Sequence, residues 1–260
     1  MNNTPTANPW FSTYNLPQQG QQRVFAFPYS GAGASIFYQW AGDFHANGID
    51  FLGVQPPGRE NRLREQAFHA MQPLLEALLP AITPLLNKPF VLFGHSLGAL
   101  VGFNLCRALH QQGLPLPQTL FISAFRSPEL PNPNRELHRL PEAVLLDGLR
   151  DYAGTPEEIL TNREIMAFLL PLLRADFSLH ETWRYQPAAP LPCPITILSG
   201  NQDPIARPES MLNWVEQTST GFQHRQYAGD HFFLNTHRDD IIRQLQQAFI
   251  QQPNFVNNNT

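Results

Sequence analysis

The sequence predicts an α/β fold: a mostly parallel sheet with helices on both faces and an inserted helical segment. Three observations carry this expectation. Short apolar runs bounded by Gly or Pro recur along the 260 residues, helix-patterned stretches alternate with them, and from about 127 to 189 the strand signal stops while helix starts multiply.

The strand candidates, in order, are 24–27, 51–54, 90–93, 120–122, 195–198 and, more weakly, 222–227. Runs such as Phe90-Val91-Leu92-Phe93 are apolar without alternation, as strands buried on both faces require. Helices are expected at 35–46, 71–86, 97–112, 209–217 and 238–250, where apolar residues recur at three- and four-residue spacing. In the last, Ile241, Ile242, Leu245 and Phe249 trace one face. The 71–86 stretch is the least secure, because Pro73, Pro80 and Pro84 each interrupt or kink a helix interior. In the insert, Thr155-Pro-Glu-Glu158 and Thr161-Asn-Arg-Glu164 both match a capping box. The apolar residues from Ile165 to Leu173 exceed one amphipathic stripe. Two readings stand: a satellite helical core, or a lid over a substrate site.

Composition narrows the function. A hydrophobic content of 42% against 15% charged residues excludes a disordered chain. A net charge of −4 and a single lysine, Lys88, leave no basic tract for nucleic acid. Cys106 and Cys193 make no disulfide framework and read as core thiols. No secretory pattern opens the chain and no run of eighteen apolar residues occurs, so the expectation is a soluble cytoplasmic protein away from the membrane. Polar, Asn- and Gln-rich ends predict a flexible segment at 1–20 and a flexible tail at 253–260, around one domain at 21–252.

The chemistry centres on Gly94-His95-Ser96-Leu97-Gly98, which follows a strand and opens a helix. That context makes it a candidate nucleophile elbow with Ser96 at the turn. A serine hydroxyl needs a base to take its proton and an acid to hold that base. With nucleophile, acid and histidine in the usual chain order, Asp203 fits the acid, after the strand 195–198, and His231 fits the base, ahead of the last helix. His237 is the rival base, while His95, next to Ser96, is expected to point away from it. Asp230 and Asp239 lie too close to His231 in sequence, and Asp176 lies in the insert. An oxyanion needs preorganised donors: the amide of Leu97, and one from the loop Phe27-Pro28-Tyr29-Ser30-Gly31-Ala32-Gly33, with Ser30 as the candidate. That loop also reads as a plain Gly-rich turn, and it lacks the endings of phosphate-binding loops. The histidines match no metal motif.

Together with the elbow, the segments Phe27-Pro28-Tyr29-Ser30-Gly31, Gln55-Pro56-Pro57-Gly58-Arg59-Glu60, Leu173-Arg174-Ala175-Asp176-Phe177, Cys193-Pro194-Ile195 and Gly229-Asp230-His231-Phe232-Phe233 span nearly the whole domain. Through them the chain resembles the type II thioesterases, free-standing α/β-hydrolases that accompany nonribosomal peptide and polyketide synthases. The resemblance implies an α/β-hydrolase fold with a helical lid over 127–189. It implies hydrolysis of acyl groups from the phosphopantetheine arm of acyl- or peptidyl-carrier proteins, with Ser96, His231 and Asp203 as nucleophile, base and acid, and Ser30 and Leu97 as oxyanion amides. It implies no cofactor beyond the partner's phosphopantetheine, and a monomer. Ser30 and Ala32 depart from the Ala and Gly usual in that loop, which alters its polarity and leaves its backbone role. Carrier proteins of this kind are generally acidic, so Arg59, Arg62 and Arg64, or Arg126, Arg135 and Arg139, are candidate docking groups, with solvated loop arginines as the plainer reading. A general carboxylesterase or an acyltransferase shares the same catalytic residues, and an idle docking protein would be expected to have lost one.

Overall fold

Parallel pairing of the apolar runs builds the centre of the computed structural model, which describes residues 8–132, 136–152 and 157–250. In chain order the elements are β1 (Phe11–Ser12), β2 (Gln22–Phe27), α1 (Tyr38–His45), β3 (Ile49–Val54), α2 (Met71–Ile82), β4 (Phe90–His95), α3 (Leu97–Gln111) and β5 (Leu120–Ser123). The insert follows with α4 (Glu142–Tyr152), α5 (Glu157–Leu160) and α6 (Arg163–Glu181), and then β6 (Ile195–Gly200), α7 (Pro208–Met211), β7 (Phe222–Tyr227) and α8 (Arg238–Gln247). The sheet runs β1-β3-β2-β4-β5-β6-β7, parallel throughout except for β1.

The strand order places the site. From β2 the chain crosses to β3 on one side and then to β4 on the other, with Phe27 of β2 opposite Gly94 of β4. Loops leaving the carboxyl ends of two such strands diverge and open a crevice between them. The candidate oxyanion loop leaves β2, and the candidate elbow leaves β4.

The central strands β3, β4, β5 and β6 are buried along their whole length, and Phe25, Phe27, Phe90 and Phe93 are fully enclosed. β7 is exposed or half-buried up to Tyr227 because it forms the sheet edge, which is why its sequence signal is weaker. The proline-rich stretch does form a helix. Pro73 occupies the first turn of α2, where its missing amide would lack a helical partner in any case, Pro80 lies inside it, and Pro84 falls in a separate short turn, Thr83–Leu85.

Two expectations need correction. The packed domain begins inside the 1–20 segment: Phe11 and Ser12 pair antiparallel with Val54 and Gly53, and Trp10 and Phe11 are buried. The Arg62 guanidinium lies 4.6 Å from the centre of the Trp10 ring. A two-residue strand offers too little periodicity to be read in advance. At α6 the cap is Asn162, whose side chain accepts hydrogen bonds from the Glu164 and Ile165 amides. Thr161 instead donates to the Glu157 carbonyl. The Thr155 box and the 253–260 tail lie outside the described residues.

The apolar excess of the insert divides between two cores. Leu137, Leu145, Leu149, Leu160, Met166, Leu170, Leu173 and Phe177 form a satellite core, while Leu179, farther along α6, joins the main one. α6 therefore has two buried faces, and its middle exposes Phe168. Cys106 and Cys193 are buried thiols with their Sγ atoms 3.5 Å apart. Among the described residues no helix is long and apolar enough to cross a membrane.

Candidate active site

The turn between β4 and α3 holds Ser96 at φ 54° and ψ −120°, a backbone region that L residues rarely occupy. Two glycines make the turn possible. A Cβ on Gly94 would stand 2.2 Å from the Gly98 carbonyl oxygen, and one on Gly98 would stand 2.2 Å from the Phe27 carbonyl oxygen. Both obstacles are backbone, so neither can swing away. Gly98→Ala is therefore expected to cost about 2–4 kcal/mol, read as a Tm lowered by roughly 5–10 °C in a thermal melt. An unchanged Tm would show that β2 yields to the elbow.

Ser96 Oγ lies 3.0 Å from His231 Nε2, and His231 Nδ1 lies 2.8 Å from Asp203 Oδ2. A carboxylate can only accept, so Nδ1 carries the hydrogen and Nε2 is left to accept from the Ser96 hydroxyl. The other carboxylate oxygen, Asp203 Oδ1, accepts from the Ile205 and Ala206 amides at 2.8 and 2.9 Å. Burial alone would push the Asp203 carboxyl up. The hydrogen bond and charge of His231, together with the two amides, outweigh it and hold the group below the usual carboxylate range. His231 and Asp203 are buried while Ser96 is half-exposed, so the hydroxyl is the end of the chain that a substrate can reach.

The rivals are occupied elsewhere. His237 Nε2 is bonded to the Ala228 carbonyl at 2.7 Å, Asp230 accepts from the Phe232 amide, and Asp239 pairs with Arg238. His95 turns from Ser96 as expected: its Nδ1 lies 2.8 Å from Ser123 Oγ, and burial pushes its imidazole down to about 3. It is thus a neutral ring at physiological pH, 5.4 Å from the His231 ring.

Leu97 opens α3, so its amide is one of the helix's unpaired first donors. Ser30 lies half-buried in the loop after β2, and Gly98 packs against the Phe27 and Pro28 carbonyls at the start of that loop. Among the described residues neither the Ser30 nor the Leu97 amide meets an acceptor. Beside the elbow, Trp10, Phe27, Leu97, Val101 and Leu179, with the Arg59–Asp176 pair, line a narrow, mostly apolar cavity with about 30 Å³ open to water-sized molecules. Leu179 makes the insert one of its walls.

The first arginine cluster is not a docking surface. Arg59 and Arg62 are buried, paired with Asp176 and Glu65, and only Arg64 is exposed. Of the second, Arg126 is half-buried and donates to the Leu130 carbonyl, Arg139 is exposed, and Arg135 lies outside the described residues. Sequence reasoning missed the Arg59–Asp176 pair, whose members are 117 residues apart. Among the described residues no group of three His, Cys, Asp or Glu side chains is placed to hold a metal ion.

Residues 22–249 match the model of the thioesterase domain family. The gramicidin S biosynthesis protein GrsT of Aneurinibacillus migulanus is 39% identical over 235 residues, 90% of this chain and 91% of its own. Two solved structures superpose closely. The RedJ thioesterase of the prodiginine pathway in Streptomyces coelicolor has a TM-score of 0.81 at 35% identity, covering 88% of this chain and 86% of RedJ. The type II thioesterase BorB of the borrelidin biosynthetic cluster has a TM-score of 0.83 at 32% identity, covering 92% and 97%.

Proposed function

The chain belongs to the thioesterase family, and from that premise we propose that it hydrolyses acyl groups held as thioesters on the phosphopantetheine arm of carrier proteins of a nonribosomal peptide or polyketide synthase, clearing stalled or misprimed units. The observation that carries the reading is the unbroken hydrogen-bonded chain Asp203–His231–Ser96, which stands where the sheet's strand order reverses. Similar solved structures from the colibactin and yersiniabactin NRPS/PKS pathways support the substrate class.

In this mechanism Ser96 Oγ attacks the thioester carbonyl carbon while His231 Nε2 takes the hydroxyl proton. The carbonyl oxygen becomes an oxyanion met by the amides of Ser30 and Leu97. Collapse breaks the carbon–sulfur bond, and His231 returns the proton to the departing pantetheine sulfur. A thiol of pKa near 8.5 needs less protonation to leave than an amine. Water then attacks the acyl-Ser96 ester while His231 takes its proton, and collapse breaks the bond from the carbonyl carbon to Oγ as His231 returns that proton to Oγ, releasing the free acid. Asp203 holds the imidazole and stabilises its protonated form throughout. One copy of the chain contains every group these steps use, so in this reading it acts as a monomer on a carrier partner, and the steps draw on no cofactor of its own.

The test compares release of acetate from acetyl-phosphopantetheinyl carrier protein with hydrolysis of a simple aryl ester. Carrier deacylation that exceeds ester cleavage is the expected result. Ester cleavage without carrier deacylation would make the protein a general esterase, and acyl transfer to a supplied amine or alcohol in preference to water would make it an acyltransferase.

A further inference from the structure

Resting on the reading of Ser30 as an oxyanion donor, we propose that Asp176 of α6 is a positioning residue for that donor, so that the insert and the oxyanion loop work as one unit. The Asp176 carboxylate sits in the body of the protein, its side chain 1% exposed, in a two-pronged pair with Arg59 at 2.7 and 2.8 Å. The same Oδ2 that meets Arg59 also accepts the Gly31 amide at 2.7 Å, across 145 residues of sequence. Arg59 Nη1 in turn donates to the Ala32 carbonyl at 3.0 Å. Leu173, one turn earlier on α6, closes the remaining side. A Cβ on Gly31 would lie 2.8 Å from Leu173 Cδ2, and Gly31 sits at φ +79°.

The loop is thus held from the insert at the Gly31 amide and the Gly31 α-carbon, and through Arg59 at the Ala32 carbonyl. Ser30 is the residue immediately before this anchor. The peptide between Ser30 and Gly31 is planar, so an anchored Gly31 amide fixes the orientation of the Ser30 carbonyl and removes freedom from Ser30 itself. A glycine at this turn would otherwise let the loop wander. An oxyanion donor is useful only if it needs no reorganisation when charge develops, and the anchor supplies that condition. The guanidinium has a second part. A bare carboxylate near the loop would oppose a developing oxyanion, and two charge-assisted hydrogen bonds from Arg59 neutralise it in place. The loop carries its own turn bond, from the Ala32 amide to the Tyr29 carbonyl at 3.1 Å, and the acceptor for Gly31 rides on the insert, so seating α6 completes the setting of the donor.

The experiment uses the full chain and measures Tm, kcat and KM on acetyl-phosphopantetheinyl carrier protein, and inhibition by an alkylboronic acid. The boronate's anionic tetrahedral adduct on Ser96 tests the oxyanion donors directly. Asp176→Ala is expected to lower kcat by about 10- to 100-fold with KM changed less than about threefold, and to weaken the boronate in proportion. Asp176→Asn keeps an oxygen for the Gly31 amide and loses the charge pair, so it is expected to lower Tm yet recover most of kcat. A role confined to holding α6 predicts the opposite split: Tm lowered in both variants, with kcat and boronate affinity of the folded protein unchanged. That result overturns the proposal. If Asp176→Ala is unfolded at the assay temperature, Leu173→Ala decides: a several-fold loss of kcat and of boronate affinity supports the proposal, and wild-type values for both overturn it. Ser96→Ala runs alongside. Turnover surviving in that variant would refute the nucleophile reading itself, which is a different outcome from a failure of Asp176.

Discussion

Ser96→Ala is expected to abolish release of acetate from acetyl-phosphopantetheinyl carrier protein, lowering kcat by roughly 10⁴-fold or more. The loss is chemical, because the fold has little reason to respond. Alanine carries the same Cβ as serine, so the φ of 54° costs the variant what it costs the wild type. The Ser96 amide keeps its bond to the Ser123 carbonyl at 2.8 Å, and the Ser96 carbonyl still accepts from the Ala99 amide at 2.9 Å. The substitution removes the hydrogen bond from Oγ to His231 Nε2, and Nε2 then faces the half-exposed pocket where water can replace the hydroxyl. The variant should therefore melt within a few degrees of wild type and bind acyl-carrier normally while failing to turn it over. Retention of more than a small percentage of the wild-type rate, in protein free of wild-type contamination, would mean that another group attacks the thioester.

Much of this site is legible in the sequence because its parts obey short-range rules. Gly94 is required by the Gly98 carbonyl four residues on, and although Gly98 itself clears the distant Phe27 carbonyl, the two glycines stand four apart in one turn between an apolar run and a helical pattern. Asp203 and His231 stand out by their place after late strands, and their side chains meet Ser96 in one hydrogen-bonded chain. What the sequence hides depends on partners distant along the chain. Arg59 reads as a surface charge, yet its guanidinium is buried against Asp176. Asp176 reads as an acid misplaced in the insert, and its carboxylate instead holds the Gly31 amide. β1 leaves no signal because its order comes from the edge of β3 that it covers rather than from any pattern of its own. At α6 the capping choice turns on one residue: Asn162 and Thr161 are both competent caps, and the helix starts where Asn162 Oδ1 reaches the Glu164 and Ile165 amides.

Asp203→Asn is expected to lower kcat by about 10⁴-fold at pH 7 although it changes one atom of the side chain. Two backbone amides, from Ile205 and Ala206, converge on Oδ1 and demand an oxygen there. The asparagine must therefore place its oxygen on that side and its NH₂ toward His231 Nδ1. An amide NH₂ donates, so Nδ1 becomes the acceptor and the imidazole hydrogen moves to Nε2. Nε2 then points a donor at Ser96 Oγ and cannot take its proton, and the imidazolium formed during attack loses its countercharge. Stability should shift in step with pH. The folded-state pKa of Asp203 is depressed below the usual 3.8, so its ionised form contributes stability that is fully present above that value and is lost as pH falls through the folded value. The asparagine has no such contribution. The Tm difference between wild type and variant should accordingly shrink as pH falls from about pH 5 to below about pH 4. Rates at pH 7 and melts across that range check both halves. A variant within tenfold of the wild-type rate would remove Asp203 from the mechanism, and a Tm difference that ignores acid would mean that the carboxylate's charge contributes nothing to the fold.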